Sequence, residues 1–156
     1  MDKAVNRYEK GIEKFKEIKG DGAEGSIERL KSLNPDLEKL IMEFAFCDVY
    51  KRPSLDLRSR EIATIASLAT LGNAPQQLKV HVQAALNVGV KKEEIVEVIL
   101  QMAIYAGFPA AINAMQAACE VFDEIDNKNK TISNGKSKKI ELNKKSWHRY
   151  DKTQLR

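Results

Sequence analysis

The sequence predicts an all-α fold, and three observations support that prediction. Apolar residues recur at helical spacing along most of the chain, and no stretch alternates polar and apolar residues as a β-strand does. Glycine, proline and capping residues divide the periodic stretches into separate helices. The 156 residues, 43% of them hydrophobic, are enough for one domain with a buried core.

Three helices are predicted in the N-terminal part of the chain. Residues 1–18 have an amphipathic pattern, which ends at the three glycines of the stretch KGDGAEG. A short helix follows over residues 25–32. Asn34 and Pro35 then supply a capping side chain and a first-turn proline for a helix that runs to about Tyr50.

The central unit of the fold is predicted to be an antiparallel helix pair. Asp56 caps a helix over residues 57–71, which stops at Gly72. The second helix of the pair covers residues 75–88. A turn as short as the one at Gly72 places two consecutive helices side by side.

Two further helices, over residues 91–106 and 110–125, complete the predicted domain. The first of them has almost no polar face, a pattern typical of a buried helix. In so small a protein this predicts burial by other subunits. The second is rich in alanine, which favours close approach of its backbone to neighbouring helices.

The charge distribution divides the chain into a domain, residues 1–126, and a basic tail, residues 127–156. The net charge is +4, but the tail alone has ten basic and two acidic side chains, which leaves 16 basic and 20 acidic side chains in the domain. We expect the tail to be disordered, or to dock on a neighbouring subunit through its aromatic cluster, which includes Trp147 and His148. A plain solvated tail is the alternative.

Several classes of function are disfavoured by what the sequence lacks. The N-terminus has no apolar signal-peptide core and no apolar run could span a bilayer, so we expect a cytoplasmic protein without a membrane partner. Cys47 and Cys119 are predicted to be buried free thiols. No second histidine or CxxC pair completes a metal site and no glycine-rich phosphate loop is present, so no metal or cofactor is expected.

His81 is the candidate reactive residue of the central pair. It lies within the helix over residues 75–88 among small apolar neighbours, and a packed core histidine is the alternative interpretation. Glu61 lies on the preceding helix, offset by about 7 Å along the axis at 1.5 Å per residue. Long side chains nearly bridge that offset, and a glutamate–histidine pair suits proton transfer near neutral pH.

A polar stripe runs along the otherwise apolar helix over residues 91–106. Glu97, Gln101 and Tyr105 repeat every four residues and therefore share one side of that helix. The stripe is either the solvated edge of the helix or the lining of a polar cavity. On the second interpretation, Gln101 and Tyr105 are candidates for substrate binding.

Four motifs in order resemble those of the carboxymuconolactone decarboxylase family. They are RP-x-L-D-x-R-x-R, A-x-L-x-x-L-G, H-x-x-x-A-L-N-x-G and Q-x-A-x-Y-x-G-x-P-A-A. The resemblance covers roughly residues 5–125. It implies an all-α fold of the alkylhydroperoxidase D type, whose protomers assemble into a ring-shaped homohexamer. It also implies conversion of 4-carboxymuconolactone to the β-ketoadipate enol-lactone in the degradation of aromatic compounds.

A related branch, of the alkylhydroperoxidase D type, reduces peroxides through a CxxC pair with a histidine and a glutamate. That pattern would place cysteines at positions 74 and 77, where this chain has Ala74 and Gln77. Glu61 falls about where that branch keeps its glutamate. The resemblance therefore implies the decarboxylase-type branch, with a peroxiredoxin-like antioxidant protein as the alternative.

The resemblance implies a decarboxylase that uses no cofactor and acts on a small anionic lactone. We assign proton transfer to His81 and orientation of its ring to Glu61. Arg58 or Arg60 is assigned to the substrate carboxylate, because a guanidinium group binds a carboxylate through two parallel hydrogen bonds. The alternative interpretation of each arginine, taken singly, is that it is only a surface charge in the first turn of its helix.

Two hypotheses come from other classes of protein. The first is a non-catalytic oligomer that binds a small ligand and has kept the fold without the activity. The second is nucleic-acid binding through the basic tail. The absence of RNA- and DNA-reading motifs and the acidic charge of residues 1–126 make nucleic acid an unlikely partner.

Overall fold

The computed structural model describes residues 6–133, and this part of the chain contains seven α-helices, one π-helical segment and no strand. The all-α prediction is confirmed. In chain order the elements are α1 (Arg7–Lys19), α2 (Ala23–Leu33), α3 (Pro35–Leu40), the π segment (Ile41–Val49), α4 (Leu57–Leu71), α5 (Pro75–Asn87), α6 (Lys92–Ala106) and α7 (Phe108–Ser133).

The predicted helix boundaries follow from local capping. The Asn34 side chain accepts a hydrogen bond from the backbone N–H of Leu37 at 2.9 Å, and Pro35 occupies the first turn. Asp56 caps α4 in the same way, accepting from the Ser59 N–H at 2.7 Å. Gly72 ends α4 in the left-handed conformation, with φ at +69°.

The structure differs from the sequence prediction at two places. The helix predicted up to Tyr50 changes to π-helical hydrogen bonding at Ile41. The last helix continues past the predicted boundary at residue 126 to Ser133, because residues 127–133 contain no glycine or proline to stop it. The predicted tail therefore begins as helix, and the part that carries Trp147 and His148 lies outside the described residues.

Two hydrophobic clusters form the core. The N-terminal cluster joins α1, α2 and the π segment, and includes an edge-to-face contact between Phe15 and Phe46. Gly11 allows α1 to lie against the π segment, since a Cβ there would collide with the backbone of Met42. The C-terminal cluster joins α4, α5, α6 and α7 through aliphatic and alanine side chains.

The helices α4 and α5 contact both clusters and form the predicted central pair. On α4, Leu57 packs against the N-terminal cluster and Ile65 belongs to the C-terminal one. On α5, Ala84 belongs to the first cluster and Val82 to the second. The two clusters therefore meet along this helix pair.

The helix α6 is only partly covered by its own chain. Ile95, Val96 and Ile99 are buried, whereas Ile104 is 78% and Tyr105 72% exposed. The nearly continuous apolar pattern of this helix is therefore not explained by packing among residues 6–133.

Candidate active site

A buried carboxylate lies where the two hydrophobic clusters meet. Glu61 is one helical turn from Leu57 and one from Ile65, so α4 places it between their clusters. Its side chain is completely buried, with 0% exposure. Burying a carboxylate is costly unless partners compensate it, which makes such a residue a candidate for function.

Glu61 is hydrogen-bonded to His81 across the helix pair. The distance from His81 Nδ1 to Glu61 Oε2 is 2.8 Å. The axial offset predicted from the sequence is therefore spanned by the two side chains. A carboxylate at this distance favours a hydrogen on Nδ1, which donates to Oε2 and leaves Nε2 as the second functional atom of the ring.

The other face of His81 is open. The histidine side chain is 26% exposed, and Nε2 forms no hydrogen bond to any of the described residues. One nitrogen is thus held by a buried acid, while the other belongs to a partly exposed side chain and has no partner among the described residues. This arrangement is suited to a general acid or base, because the carboxylate orients the ring.

The second oxygen of Glu61 accepts no hydrogen bond from the described residues. Glu61 Oε1 is the one buried side-chain nitrogen or oxygen in the described residues that lacks a hydrogen bond. A native fold rarely leaves a buried acceptor unused, and a catalytic role is one of the explanations for such an exception.

Tyr50 and Thr64 extend the polar cluster behind Glu61. The Thr64 hydroxyl donates to the Arg60 carbonyl at 2.9 Å, so the Tyr50 hydroxyl, 3.2 Å from Thr64 Oγ1, is the donor of that pair. Burial raises the pKa of Tyr50, and its hydroxyl is near enough to Glu61 to interact with the carboxylate. Neither residue was predicted from the sequence. The position of Thr64, three residues after Glu61, is the one signal that could have identified it.

Lys19, at the end of α1, is a third residue that the sequence analysis missed. Its side chain is half-buried, and burial lowers the pKa of its ammonium group while the negative charge of Glu61 opposes that change. No local pattern distinguishes it from the other lysines of α1, because its proximity to Glu61 depends on how α1 packs.

The two arginines predicted to bind substrate have other partners in this structure. Arg58 forms an ion pair with Glu94 at the start of α6. Arg60 donates to the carbonyl oxygens of Leu55 and Arg52, at 3.1 and 2.9 Å, and so holds the connector before α4. Neither guanidinium group is among the hydrogen-bond partners of Glu61 or His81 within the described part of the chain.

Gln101 and Tyr105 lie on the exposed side of α6. No hydrogen bond or ion pair among residues 6–133 joins either of them to Glu61 or His81. Among residues 6–133 the stripe is therefore the exposed edge of the helix rather than the lining of a closed cavity.

The described residues offer neither a thiol pair nor a metal site. Cys47 and Cys119 are free, and both are partly rather than fully buried. Burial raises the pKa of Cys119, which opposes formation of the reactive thiolate. No group of three or more His, Cys, Asp or Glu side chains in this part of the chain is arranged to hold a metal ion. None of the described helices is long and apolar enough to cross a membrane.

Comparison with known proteins gives a consistent result. The sequence model of the carboxymuconolactone decarboxylase family matches residues 35–120. A 4-carboxymuconolactone decarboxylase of Acinetobacter baylyi is 39% identical over 120 residues, which cover 76% of this chain and 89% of that protein. A nitrosuccinic acid decarboxylase of Metarhizium robertsii is 32% identical over 109 residues, covering 69% of this chain and 76% of that protein.

Proposed function

This chain belongs to the carboxymuconolactone decarboxylase family, and from that membership we infer that it is a carboxy-lyase acting on a small carboxylate. We propose 4-carboxymuconolactone or a related anionic lactone as the substrate. The observation that carries the proposal is the Glu61–His81 pair, in which a buried acid holds Nδ1 and Nε2 is left open.

The proposed reaction breaks one carbon–carbon bond and forms one carbon–hydrogen bond. The bond to the departing carboxylate breaks and CO2 leaves. Its electron pair moves through the conjugated double bond into the lactone carbonyl, which gives a dienolate. His81, protonated at Nε2, donates that proton to the carbon next to the carbonyl, and the product is the enol-lactone. His81 then regains a proton from solvent.

Glu61 has two parts in this mechanism. Its Oε2 fixes the imidazole ring through Nδ1, so that Nε2 faces the substrate rather than the core. Its negative charge stabilises the imidazolium before the proton is transferred. Because Glu61 is completely buried, water screens this interaction less than it would at the surface.

The named activities of the two relatives share one chemical requirement. A lactone conjugated with a double bond and a nitro group are both electron acceptors that stabilise the carbanion left by CO2. Protonation of that carbanion is the step common to both. The substrate class we propose is therefore a small carboxylate with an electron acceptor placed to receive the electron pair.

We further propose that the protein works as a homohexamer, as the resemblance to the family implies. The support in this chain is an exposed apolar surface on α6 and the start of α7, formed by Leu100, Ile104, Tyr105, Phe108 and Ile112. A monomer seldom exposes so many large apolar side chains close together.

The test is turnover of 4-carboxymuconolactone and of nitrosuccinate by the purified protein, followed by ultraviolet absorbance beside His81→Ala. We expect substrate loss with the parent protein alone, and the same elution volume for both proteins in size-exclusion chromatography. No turnover of either compound would overturn the proposed substrate class. Equal turnover by His81→Ala would overturn the role of His81.

A further inference from the structure

The proposed substrate is an anion, and the candidate site contains a buried carboxylate, Glu61. Glu61 repels a carboxylate that approaches His81, so a nearby cation is needed to hold the substrate. Arg58 and Arg60 are engaged with Glu94 and with backbone carbonyls. Within residues 6–133, Lys19 is a further cation, and its charge interacts with that of Glu61.

Lys19 differs from the two lysines before it on α1. Lys14 is paired with Glu17 and Lys16 with Glu24. The Lys19 ammonium forms no hydrogen bond or ion pair with any residue of the described range 6–133. It is nevertheless half-buried. A partly desolvated ammonium without a partner is unfavourable in the free protein and is stabilised when an anion binds.

The backbone at Lys19 is held to the helix that carries His81. Asn87 on α5 donates from Nδ2 to the carbonyl oxygens of Ile18 and Lys19, at 3.3 and 2.6 Å. Asn87 follows His81 by less than two helical turns, and Ala84 between them belongs to the same hydrophobic cluster as Ile18. The end of α1 is therefore positioned relative to α5, with the Lys19 charge close enough to interact with Glu61.

We propose that the ammonium group of Lys19 binds a carboxylate of the substrate beside the Glu61–His81 pair. This inference rests on the proposed function. Lys19 lies outside residues 35–120, the segment that the family model matches, so the assignment comes from packing in this chain. Lys19 acts here as a substrate-binding residue and takes no part in the transfer of the proton.

The test compares Lys19→Gln and Lys19→Arg with Lys16→Gln, a control on the same helix, using steady-state kinetics with 4-carboxymuconolactone. For Lys19→Gln we expect KM to rise roughly tenfold or more, because a hydrogen bond to a charged group contributes about that much affinity. Lys19→Arg keeps the charge and should recover most of the loss, and Lys16→Gln should match the parent. A parental KM for Lys19→Gln would overturn the assignment.

A binding measurement separates this inference from the proposed function. If the parent turns over neither compound, the proposed function fails, and calorimetric titration of the same proteins with succinate tests Lys19 by itself. Succinate binding that is lost in Lys19→Gln and kept in Lys16→Gln would support a carboxylate site. Equal affinities, or no binding to the parent, would overturn it. Thermal unfolding of each variant verifies that it is folded.

Discussion

Two buried glutamates invite comparison, because Glu38 lies in the N-terminal hydrophobic cluster region and Glu61 lies in the candidate active site. Glu38 is 2% exposed and accepts a hydrogen bond from the Tyr8 hydroxyl at 2.9 Å. Glu61 is 0% exposed and lies 2.8 Å from His81 Nδ1. A tyrosine hydroxyl has one hydrogen to donate, whereas a histidine has a second nitrogen that exchanges protons near neutral pH. The partner, rather than the buried acid, distinguishes the two regions.

Each of these glutamates also has a lysine nearby. The pKa values of the two lysines are shifted in opposite directions. Lys31 lies over the Tyr8 ring, 5.9 Å from its centroid, and hydrogen bonding with Tyr8 raises the pKa of Lys31. Burial lowers the pKa of Lys19. One cation is thus stabilised by the fold, and the other is held at a cost that an anionic ligand would relieve.

The largest difference between the two regions should come from removing the partner of each glutamate. We expect His81→Ala to lower kcat by about two to four orders of magnitude, the usual contribution of general acid–base catalysis. Tyr8→Phe should leave kcat unchanged and lower the free energy of unfolding by about 1–3 kcal/mol, because Glu38 loses its donor. Urea unfolding and turnover measured on both variants check this, and a large loss of turnover in Tyr8→Phe would contradict the division.

Replacing each glutamate by glutamine should also lower turnover at Glu61 and not at Glu38. The loss should be smaller than that caused by removing the histidine. Glu61→Gln keeps the size of the side chain and removes the charge that stabilises the imidazolium. We expect kcat to fall roughly 10- to 100-fold, the value of a hydrogen bond to a charged group. Glu38→Gln still offers Tyr8 an acceptor and should turn over like the parent. Equal losses in the two variants would show that burial, not the histidine, is what matters.

The two lysines should give stability a pH dependence of opposite sign. The pKa of Lys19 is below its ordinary value of 10.5 in the folded state, so the unfolded chain binds more protons there and stability rises with pH through that window. The pKa of Lys31 is above 10.5, so its stabilisation is lost as pH rises through the folded value.

Urea unfolding of the parent, Lys19→Met and Lys31→Met between about pH 8 and pH 11 measures both effects. Lys19→Met should remove the rise, and Lys31→Met should remove the fall. A parental pH dependence in Lys19→Met would mean that its ammonium is fully solvated in the folded protein.

The smallest effect is expected behind Glu61, at the Tyr50–Thr64 hydrogen bond. Tyr50→Phe should lower the free energy of unfolding by about 0.5–1.5 kcal/mol, with a smaller loss of kcat than Glu61→Gln. Thr64→Val removes the same bond from its other side. A double-mutant cycle should therefore show coupling between the two changes, and strictly additive effects would exclude the interaction.

The helices were predictable because their signals are local. Asn34, Asp56 and Gly72 begin or end helices through hydrogen bonds and dihedral angles set within a few residues. The π segment was not predicted, because its hydrogen bonding leaves no comparable signal in the sequence. The close approach of α1 at Gly11 is a contact between residues distant in the chain.

The candidate site was predictable only in part, because local sequence patterns identify residues on α4 and α5 but not residues that other elements bring to them. Motif resemblance and residue type identified His81 and Glu61, and the family membership they suggested is confirmed. The two arginines follow the motif equally well, yet their side chains reach Glu94 and the connector instead. Tyr50 and Lys19 come to Glu61 from elements that local sequence does not connect with α4.

The sequence by itself therefore determined the helices, their apolar faces and the presence of a glutamate and a histidine on consecutive helices. Only the tertiary structure decided that Glu61 lies completely buried between two hydrophobic clusters, with Nε2 of its histidine left open. It also brought Lys19 of α1, whose ammonium has no hydrogen-bond or ion-pair partner among residues 6–133, close enough for its charge to interact with Glu61. Helix formation depends on neighbours a few residues away, whereas burial and side-chain orientation depend on how the helices pack.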